Sequence, residues 1–347
     1  GSKERERKAG IDAQIRAVEE QLVRIVPRTP IRPTIGLWTG YRRVVDTAAK
    51  LDLARSHFDT DLLVLTRVDG PRLPVVSSLV LTCALRGAVM KHSGIQPVPA
   101  WVSGHEPDGS KCENDAGHLA CIPLPFVGHD HADGHLLGVG LVFPRSVDRR
   151  QRGRVLGPLL VEEQTGEPCD VKLHLGRLGV STLRKRAWSE MRDALQPEVW
   201  TAHPNGATTW ASVTPVVLDR FPKGARRKDR AVWTAEVADI ISEACVRIGL
   251  PTPANIDIDT TCWHHGGPRA LAKRRMLRDR NGWDDGRAAL GDGFPFYPAK
   301  GAGASRPQVH VWLEFAEPVL GPMLLGAGRY QGYGLCKPWN GWKEAGR

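Results

Sequence analysis

Signatures of several common enzyme classes are missing from this sequence. It contains no G-x-S-x-G motif, no G-x-x-x-x-G-K-[ST] motif and no H-E-x-x-H motif. Serine hydrolases, P-loop nucleotide hydrolases and zinc proteases of those types are therefore not supported. No apolar stretch reaches the roughly 18 to 20 residues that a membrane-spanning helix requires, and no segment resembles a signal peptide. We expect a cytoplasmic protein without a membrane partner.

The number and spacing of the cysteines argue against disulfides and against cysteine zinc sites. There are seven of them, an odd number, and no two stand in a C-x-x-C pair. Disulfide frameworks use even numbers of cysteines, and cysteine zinc sites use closely paired ones. We therefore expect reduced thiols and no zinc bound by cysteine. The chain begins with Gly-Ser instead of Met, as after protease cleavage, and we expect the natural protein to extend upstream.

Positive charge is abundant. The formal net charge of the 347 residues is +10, which favours polyanionic partners. The basic residues form four clusters with tryptophans near several of them, an arrangement that suits unpaired bases beside phosphates. Solvated faces and core tryptophans would produce the same pattern. The clusters are Arg149, Arg150, Arg152, Arg154; Arg184, Lys185, Arg186; Lys223, Arg226, Arg227, Lys228, Arg230; and Lys273, Arg274, Arg275, Arg278, Arg280.

Hydrophobic patterning in the first half of the chain predicts a βαββαβ order. Strands are predicted at 61–68, within 118–128, within 135–144 and at 170–176, and helices at 77–94 and 146–163. This order is that of the ferredoxin-like unit, which is also the fold of many RNA-binding modules. The first unit is predicted to span 60–182.

The second half repeats the order more loosely and is predicted to form a second unit over 205–340. Strands are predicted at 208–220, 254–261 and 308–319, with a helix at 230–250. A long insertion at 263–306, rich in Arg, Gly and Pro, interrupts this unit as a surface loop. Ahead of both units, 1–50 reads as an amphipathic helix ended by Pro27 and then an irregular connector.

Two histidine-bearing segments could carry chemistry. "GHDHADGH" holds His129, His131 and His135 with two aspartates, and it fits either a metal site or a solvated turn between strands. The spacing matches no established zinc signature. Further upstream, "SGHEPDG" holds His105, and His118 opens the strand that follows.

The stretch "GPMLLGAGRYQGYGL" near the end of the chain is unusually rich in glycine. Glycine permits positive φ and a close approach of the backbone to a phosphate or to another backbone. The residues concerned are Gly326, Gly328, Gly332 and Gly334, interleaved with Arg329, Tyr330 and Tyr333.

Taken together, these stretches resemble the RAMP superfamily of CRISPR-associated proteins, and most of all the fused protein of type I-G (formerly I-U) systems. The resemblance covers about 60–340. It is carried by "SGHEPDG" (103–109), "HLACIPLPFVGHDHADGHLLGVGLVFPR" (118–145), "WASVTPVVLDRFPK" (210–223) and "GAGRYQGYGL" (326–335). It implies an α+β fold of two tandem ferredoxin-like (RRM-like) units of the RAMP type. In such a fused protein a domain precedes these units, and 1–50 would be its tail.

The resemblance further implies a metal-independent endoribonuclease that cleaves CRISPR precursor RNA within repeats. The ribose 2′-OH would attack the adjacent phosphate, giving a 2′,3′-cyclic phosphate, with a histidine as base and a cation stabilising the transition state. The candidate catalytic residues are His105, His118, His131 and Lys91, with Arg86 or Lys337 as further sources of charge. The candidate RNA-binding residues are Gly326, Gly328, Arg329, Tyr330, Gly332, Gly334, Lys337, Arg226, Arg227, Lys228, Arg274 and Arg275.

The implied partners are CRISPR repeat RNA, the guide RNA that it yields, and the other subunits of the type I-G interference complex. No cofactor and no metal is implied. Two alternatives remain open at this point: a RAMP subunit that holds guide RNA without cleaving it, and a metal-dependent nuclease built from the His and Asp residues.

Overall fold

We describe a computed structural model of the chain, which covers residues 2–25, 53–110, 112, 117–224, 229–272, 293–298 and 304–341. The chain divides into two units, Gly1–Leu51 and Asp52–Arg347. In the first unit the helix predicted ahead of Pro27 is present and runs from Ser2 to Ile25. The predicted connector at 27–45 lies outside the described residues.

The second unit contains two β-sheets and the helices that cover them. The helices of the whole chain are α1 (Ser2–Ile25), α2 (Ser78–Lys91), α3 (Ala100–Ser103), α4 (Arg149–Leu160), α5 (Pro197–Thr201) and α6 (Arg230–Arg247). The strands are β1 (Ala54–Arg55), β2 (Leu63–Asp69), β3 (Ala120–Pro125), β4 (Leu136–Val142), β5 (Asp170–His174), β6 (Val180–Lys185), β7 (Ala207–Ser212), β8 (Val216–Val217), β9 (Asn255–Asp259), β10 (Gln308–Leu320), β11 (Met323–Leu324) and β12 (Leu335–Pro338).

The first sheet has the strand order β3-β4-β2-β6-β5, and every pairing in it is antiparallel. With α2 after β2 and α4 after β4, this is the βαββαβ arrangement that the sequence predicts. One assignment differs. The predicted closing strand is present as β5 but lies at the edge of the sheet, while β6, which the sequence analysis missed, pairs with β2. The β5–β6 hairpin therefore extends the four-stranded pattern by one strand.

Both faces of the first sheet are covered, which explains why β3 and β4 are buried along their whole length. On one face Leu65 of β2 packs in a cluster with Leu85 of α2 and Leu156 of α4. Each such buried leucine contributes roughly 1.5 to 3 kcal/mol. At the start of α4 the Asp148 carboxylate accepts a hydrogen bond from the Gln151 backbone N–H at 2.7 Å, and the Asp148 backbone N–H donates to the Gln151 side-chain oxygen at 3.3 Å, so a capping box fixes this end.

The second sheet contains the order β9-β10-β7-β12, again antiparallel, which is the same order as β3-β4-β2-β6. It carries α6 on one face, where Val237 and Ile241 pack against Val311 of β10. Between β10 and β12, where the first unit has α4, the glycine-rich segment 321–334 connects the strands. The fourth strand is thus reached through a loop in place of a second helix.

The two sheets share a core. Ile122 and Leu124 of β3 lie in one cluster with Leu324 of β11 and Leu335 of β12. The order of layers is therefore helices, first sheet, second sheet, helix. The α+β class with two ferredoxin-like units is confirmed, whereas the boundaries 60–182 and 205–340 stay a prediction. None of the helices in the described residues is long and apolar enough to cross a membrane.

Candidate active site

The histidine that opens β3 is held between two parts of the chain that are distant in sequence. His118 stacks on Tyr330 of the glycine-rich segment, with ring centroids 3.5 Å apart and an angle of 24° between the planes. The backbone N–H of Leu119 donates to the carbonyl of Trp101 at 2.6 Å, which fixes the chain just before β3. The predicted catalytic histidine and the predicted RNA-binding tyrosine therefore belong to one site.

Arg86 on α2 holds the loop around this histidine. Its guanidinium donates to the Leu119 carbonyl at 3.2 Å and to the Ser103 carbonyl at 2.6 Å. It thereby connects the segment before β3 with the "SGHEPDG" loop. Because both acceptors are neutral, the positive charge of Arg86 remains uncompensated by these contacts and acts on the neighbouring His118.

Burial and the Arg86 charge lower the pKa of His118 from 6.5 to about 4, so the ring is neutral near pH 7. Its Nδ1 lies 3.2 Å from the Leu119 carbonyl, which can only accept, so Nδ1 carries the proton. It follows from this hydrogen bond that Nε2 carries the free lone pair. Nε2 is thus the nitrogen able to accept a proton from a substrate.

A glycine lies close to the ring on the side of that nitrogen. Gly104 has a φ of +72°, and a Cβ added to it would lie 2.8 Å from Nε2 of His118. Any larger residue would collide with the imidazole as well as strain the left-handed backbone. Glycine at this position therefore allows the loop to pack closely against the His118 ring.

His105 follows directly on the same loop and is exposed. Its backbone N–H donates to the Ser103 hydroxyl at 3.1 Å, and its Nδ1 lies 3.2 Å from the Ser103 carbonyl. A charge on His105 contributes to the lowered pKa of His118. The two leading candidates of the sequence analysis are therefore near neighbours.

The glycine-rich segment supplies a second cation. The guanidinium of Arg329 lies 4.7 Å above the ring of Tyr330, on which His118 also stacks. It donates to the Gly326 carbonyl at 3.0 Å and forms an ion pair with Asp219 at 3.7 Å. Asp219 also pairs with Arg247 at 2.5 Å, so one carboxylate is shared between two arginines.

The glycines of this segment are buried and face protein atoms. Gly326, Gly328, Gly332 and Gly334 are all buried, and a Cβ on Gly332 would meet the Pro123 ring at 2.8 Å and the Thr82 methyl at 3.0 Å. The Thr82 hydroxyl donates to the Gln331 carbonyl at 2.8 Å. These glycines therefore allow the segment to lie directly against α2 and β3. The short 3-10 turn Arg329–Gln331 is the part that reaches the surface.

Other histidines gather at the opposite end of β3. This strand is six residues long, roughly 20 Å at about 3.3 Å per residue, and it separates His118 from the 128–135 turn. There the rings of His129 and His131 lie 5.8 Å apart. The ammonium group of Lys337 donates to the Val127 carbonyl at 3.2 Å, and buried His264 donates to the Ala211 carbonyl at 3.1 Å. His131 and Lys337 thus belong to a second group, away from His118.

Lys91 is not brought to His118 either. It is exposed on the last turn of α2, five positions after Arg86, which places the two residues about 140° apart around the helix axis. Arg226, Arg227, Lys228, Arg274 and Arg275 lie outside the described residues. Among the described residues, no group of three or more His, Cys, Asp or Glu side chains could hold a metal ion.

Sequence reasoning missed two contributors to the site, Gly104 and Asp219. Gly104 was visible as the glycine of "SGH", next to a candidate histidine. Asp219 lies in the stretch 210–223 that carries the resemblance, but nothing singled it out there, because its partner Arg329 is more than 100 residues away in the sequence.

Three solved structures are similar to this chain at a low level. A RAMP protein described as binding different RNA substrates has a TM-score of 0.34 and 10% identity, covering 80% of this chain and 97% of its own. A CRISPR-associated protein, Cas6, has a TM-score of 0.34 and 10% identity, covering 80% and 98%. A Cas6-related protein from Pyrococcus furiosus has a TM-score of 0.29 and 10% identity, covering 81% and 98%. Likenesses as loose as these do not bear on function.

No curated protein sequence matches this chain significantly. A family model does. The model of the CRISPR-associated GSU0054 family matches residues 17–338, which is most of the chain. This protein therefore belongs to the CRISPR-associated GSU0054 family.

Proposed function

We propose that this protein is a metal-independent endoribonuclease that cleaves CRISPR precursor RNA within its repeats. The observation that carries the proposal is the environment of His118. Its Nε2 has a free lone pair, its ring is only partly buried, and it lies beside the charge of Arg86. A neutral imidazole next to a cation is the arrangement that removal of a proton at an anionic phosphodiester requires.

In the proposed reaction the 2′ oxygen of the ribose forms a bond to phosphorus, and the bond from phosphorus to the 5′ oxygen breaks. The proton of the 2′-OH passes to Nε2 of His118, and His105 gives a proton to the departing 5′ oxygen. The products are a 2′,3′-cyclic phosphate and a 5′-OH, with no water consumed. Arg86 and Arg329 stabilise the negative charge that develops on the phosphorane.

Substrate binding would prepare His118 for this role. A base with a pKa of about 4 is weak, and Brønsted behaviour favours a base whose pKa lies near the working pH. A bound phosphodiester brings a negative charge next to the ring, which favours the protonated form and raises its pKa. Without RNA, burial and Arg86 keep His118 unprotonated near pH 7, and bound RNA increases its basicity.

Tyr330 and Arg329 are proposed to contact the RNA at the surface of the 3-10 turn. A guanidinium held against an aromatic ring near the surface suits a contact to a phosphate. We further propose that the protein keeps the mature guide RNA and acts in the cytoplasm as a subunit of a type I-G interference complex. Membership of a CRISPR-associated family fits this role.

The test is to incubate the protein with its cognate CRISPR repeat RNA in excess EDTA and to map the ends of the fragments. We expect cleavage with 2′,3′-cyclic phosphate and 5′-OH ends. Activity that EDTA abolishes would indicate a metal-dependent nuclease instead. RNA binding without any cleavage would indicate a subunit that only holds guide RNA.

Histidine variants separate chemistry from binding. We expect His118→Ala to lower the cleavage rate roughly a hundredfold or more, the usual scale for loss of a general base, with RNA affinity near that of the wild type. His131→Ala, at the other end of β3, is the matched control and should cleave normally. Wild-type cleavage by His118→Ala would overturn the assignment of the base.

A further inference from the structure

A second feature that favours nucleic acid lies on the helical side of the first sheet. A cavity of about 410 Å³ lies between α4 and the ends of β2 and β6. Leu63, Phe143 and Leu156 are among the apolar residues that line it. The volume is within the range of roughly 300 to 1,000 Å³ typical of small-ligand pockets. The cleft can therefore take a flat group the size of a nucleobase.

Basic residues from two separate clusters of the sequence surround this cleft. Arg149 comes from the start of α4, whereas Lys185 and Arg186 come from the end of β6. Lys185 is two positions after buried Leu183, so its side chain points to the same, helix-covered face of the sheet. The fold thus gathers three exposed cations around an apolar cavity, which is also lined by Arg152, buried and paired with Asp59.

The cations at the rim are available to a ligand. The Arg149 side chain is 86% exposed, and its ion pair with Asp61 at 3.0 Å is a solvent-exposed one. Arg186 lies 3.7 Å from Glu190 in an exposed i,i+4 pair. Exposed pairs of these kinds are worth less than about 1 kcal/mol, so a phosphate can readily displace the carboxylates.

An exposed tryptophan forms one wall of the cleft. Trp188 follows β6 in a short 3-10 turn and is 50% exposed. A half-exposed indole leaves a large apolar surface in water, and tryptophan is the aromatic residue that most often anchors binding partners. A ring in this position offers a face on which a base can stack.

We propose that this cleft binds one unpaired nucleotide of the RNA, with the base on Trp188 and a neighbouring phosphate on Lys185 and Arg186. The inference rests on the proposed function, because it assumes that the chain binds RNA. Charge favours RNA over a protein partner, because three exposed cations border the apolar surface and a phosphate backbone is neutralised by such cations. Base stacking with adjacent cations is the pattern of single-stranded RNA sites.

The proposal is tested by binding of a labelled, 2′-O-methylated repeat RNA, which lacks the attacking hydroxyl and stays intact. The variants are Trp188→Ala, Trp188→Phe and Lys185→Ala, with Lys172→Ala, at an exposed position of β5, as the control of equal charge. We expect Trp188→Ala to weaken binding about tenfold, as for the loss of one stacked base. Trp188→Phe should restore most of the affinity, because a benzene ring still stacks.

The salt dependence gives a second, independent signature. Lys185→Ala should lower the slope of log affinity against log salt by about 0.7, the value for one phosphate contact to single-stranded nucleic acid. Trp188→Ala should leave that slope unchanged, since stacking releases no counterions. Lys172→Ala should change neither affinity nor slope.

The outcomes separate this inference from the proposed function. Failure of the wild-type protein to bind the RNA would overturn both. Normal RNA binding by both the wild type and Trp188→Ala would overturn the nucleotide-binding role of the cleft and leave the proposed function unaffected. Unchanged RNA affinity in Trp188→Ala, together with loss of a protein subunit from the complex, would also overturn the nucleotide-binding role and would indicate that the cleft binds a protein. Because Trp188 is half exposed, its removal should leave the melting temperature close to that of the wild type, which thermal unfolding checks.

Discussion

Arg86 offers the sharpest test of the candidate site, because its effect on His118 can be measured as a pH dependence. Burial is the largest cause of the low pKa of His118, and the Arg86 charge is the next. The Arg86→Gln variant removes the charge and keeps an amide that can donate to one of the two carbonyls. The pKa of His118 should therefore rise toward 6.5, although burial keeps it below that value.

The size of the effect follows from the two pKa values. The difference between 6.5 and about 4 corresponds to about 3 kcal/mol, at 1.36 kcal/mol for each pH unit. With a pKa of about 4, about nine tenths of His118 is unprotonated at pH 5. With a pKa fully restored to 6.5, only about 3% would be unprotonated, so a loss of about thirtyfold in rate at pH 5 relative to its own plateau is an upper bound, and the variant, in which burial remains, should lose less.

The assay is kcat/KM for repeat RNA between pH 4 and pH 8, since this parameter reports the pKa values of the free enzyme. The acidic limb of the wild type should lie near pH 4, and that of Arg86→Gln at higher pH. The matched control is Arg154→Gln, which removes the same charge from an exposed position on α4. Circular dichroism at each pH confirms that both variants stay folded.

Two results would refute this reasoning. One is an acidic limb at the same pH in the wild type and in Arg86→Gln. The other is an equal displacement of the limb in Arg154→Gln, which would trace the effect to net charge in place of the local contact.

Three further predictions concern packing, salt and acid. In urea denaturation, Gly332→Val should lower the free energy of unfolding by roughly 1 to 3 kcal/mol more than Gly109→Val does. Both glycines have a φ of +83°, but only at Gly332 would a Cβ lie 2.8 Å from Pro123. Equal losses in the two variants would contradict this explanation. Arg329→Ala should lower the salt slope of RNA binding by about 0.7, whereas an unchanged slope would confine Arg329 to protein contacts. Burial lowers the pKa of His264 to about 3. As the pH falls, this histidine is therefore protonated in the unfolded chain before it is protonated in the folded protein. The free energy of unfolding should then fall between pH 6.5 and about 3. Between pH 7 and pH 4.5, measured by urea titration, it should fall less in His264→Gln than in the wild type. Parallel pH profiles of the two proteins would exclude this histidine as the cause.

The elements of the fold were largely predictable because their signals are local. The helix expected at 230–250 is present as α6, and the strand expected at 308–319 is present as β10, since apolar periodicity and turn residues mark such segments directly. The position of β6 was not predictable in this way. Its place beside β2 depends on pairing between segments more than 100 residues apart, which no local pattern encodes.

The candidate site was also predictable only in part from the sequence. By itself, the sequence determined that His105, His118 and Tyr330 are unusual residues, because each stands in a distinctive glycine-bearing stretch. Only the tertiary structure decided that His118 stacks on Tyr330, 212 positions further along the chain, while His131 lies at the far end of the same strand. The physical reason is that residue type is a local property, whereas the lowered pKa of His118 arises from burial and from a charge on another element. These appear only when the two sheets close on a common core and bring the glycine-rich segment against α2 and β3.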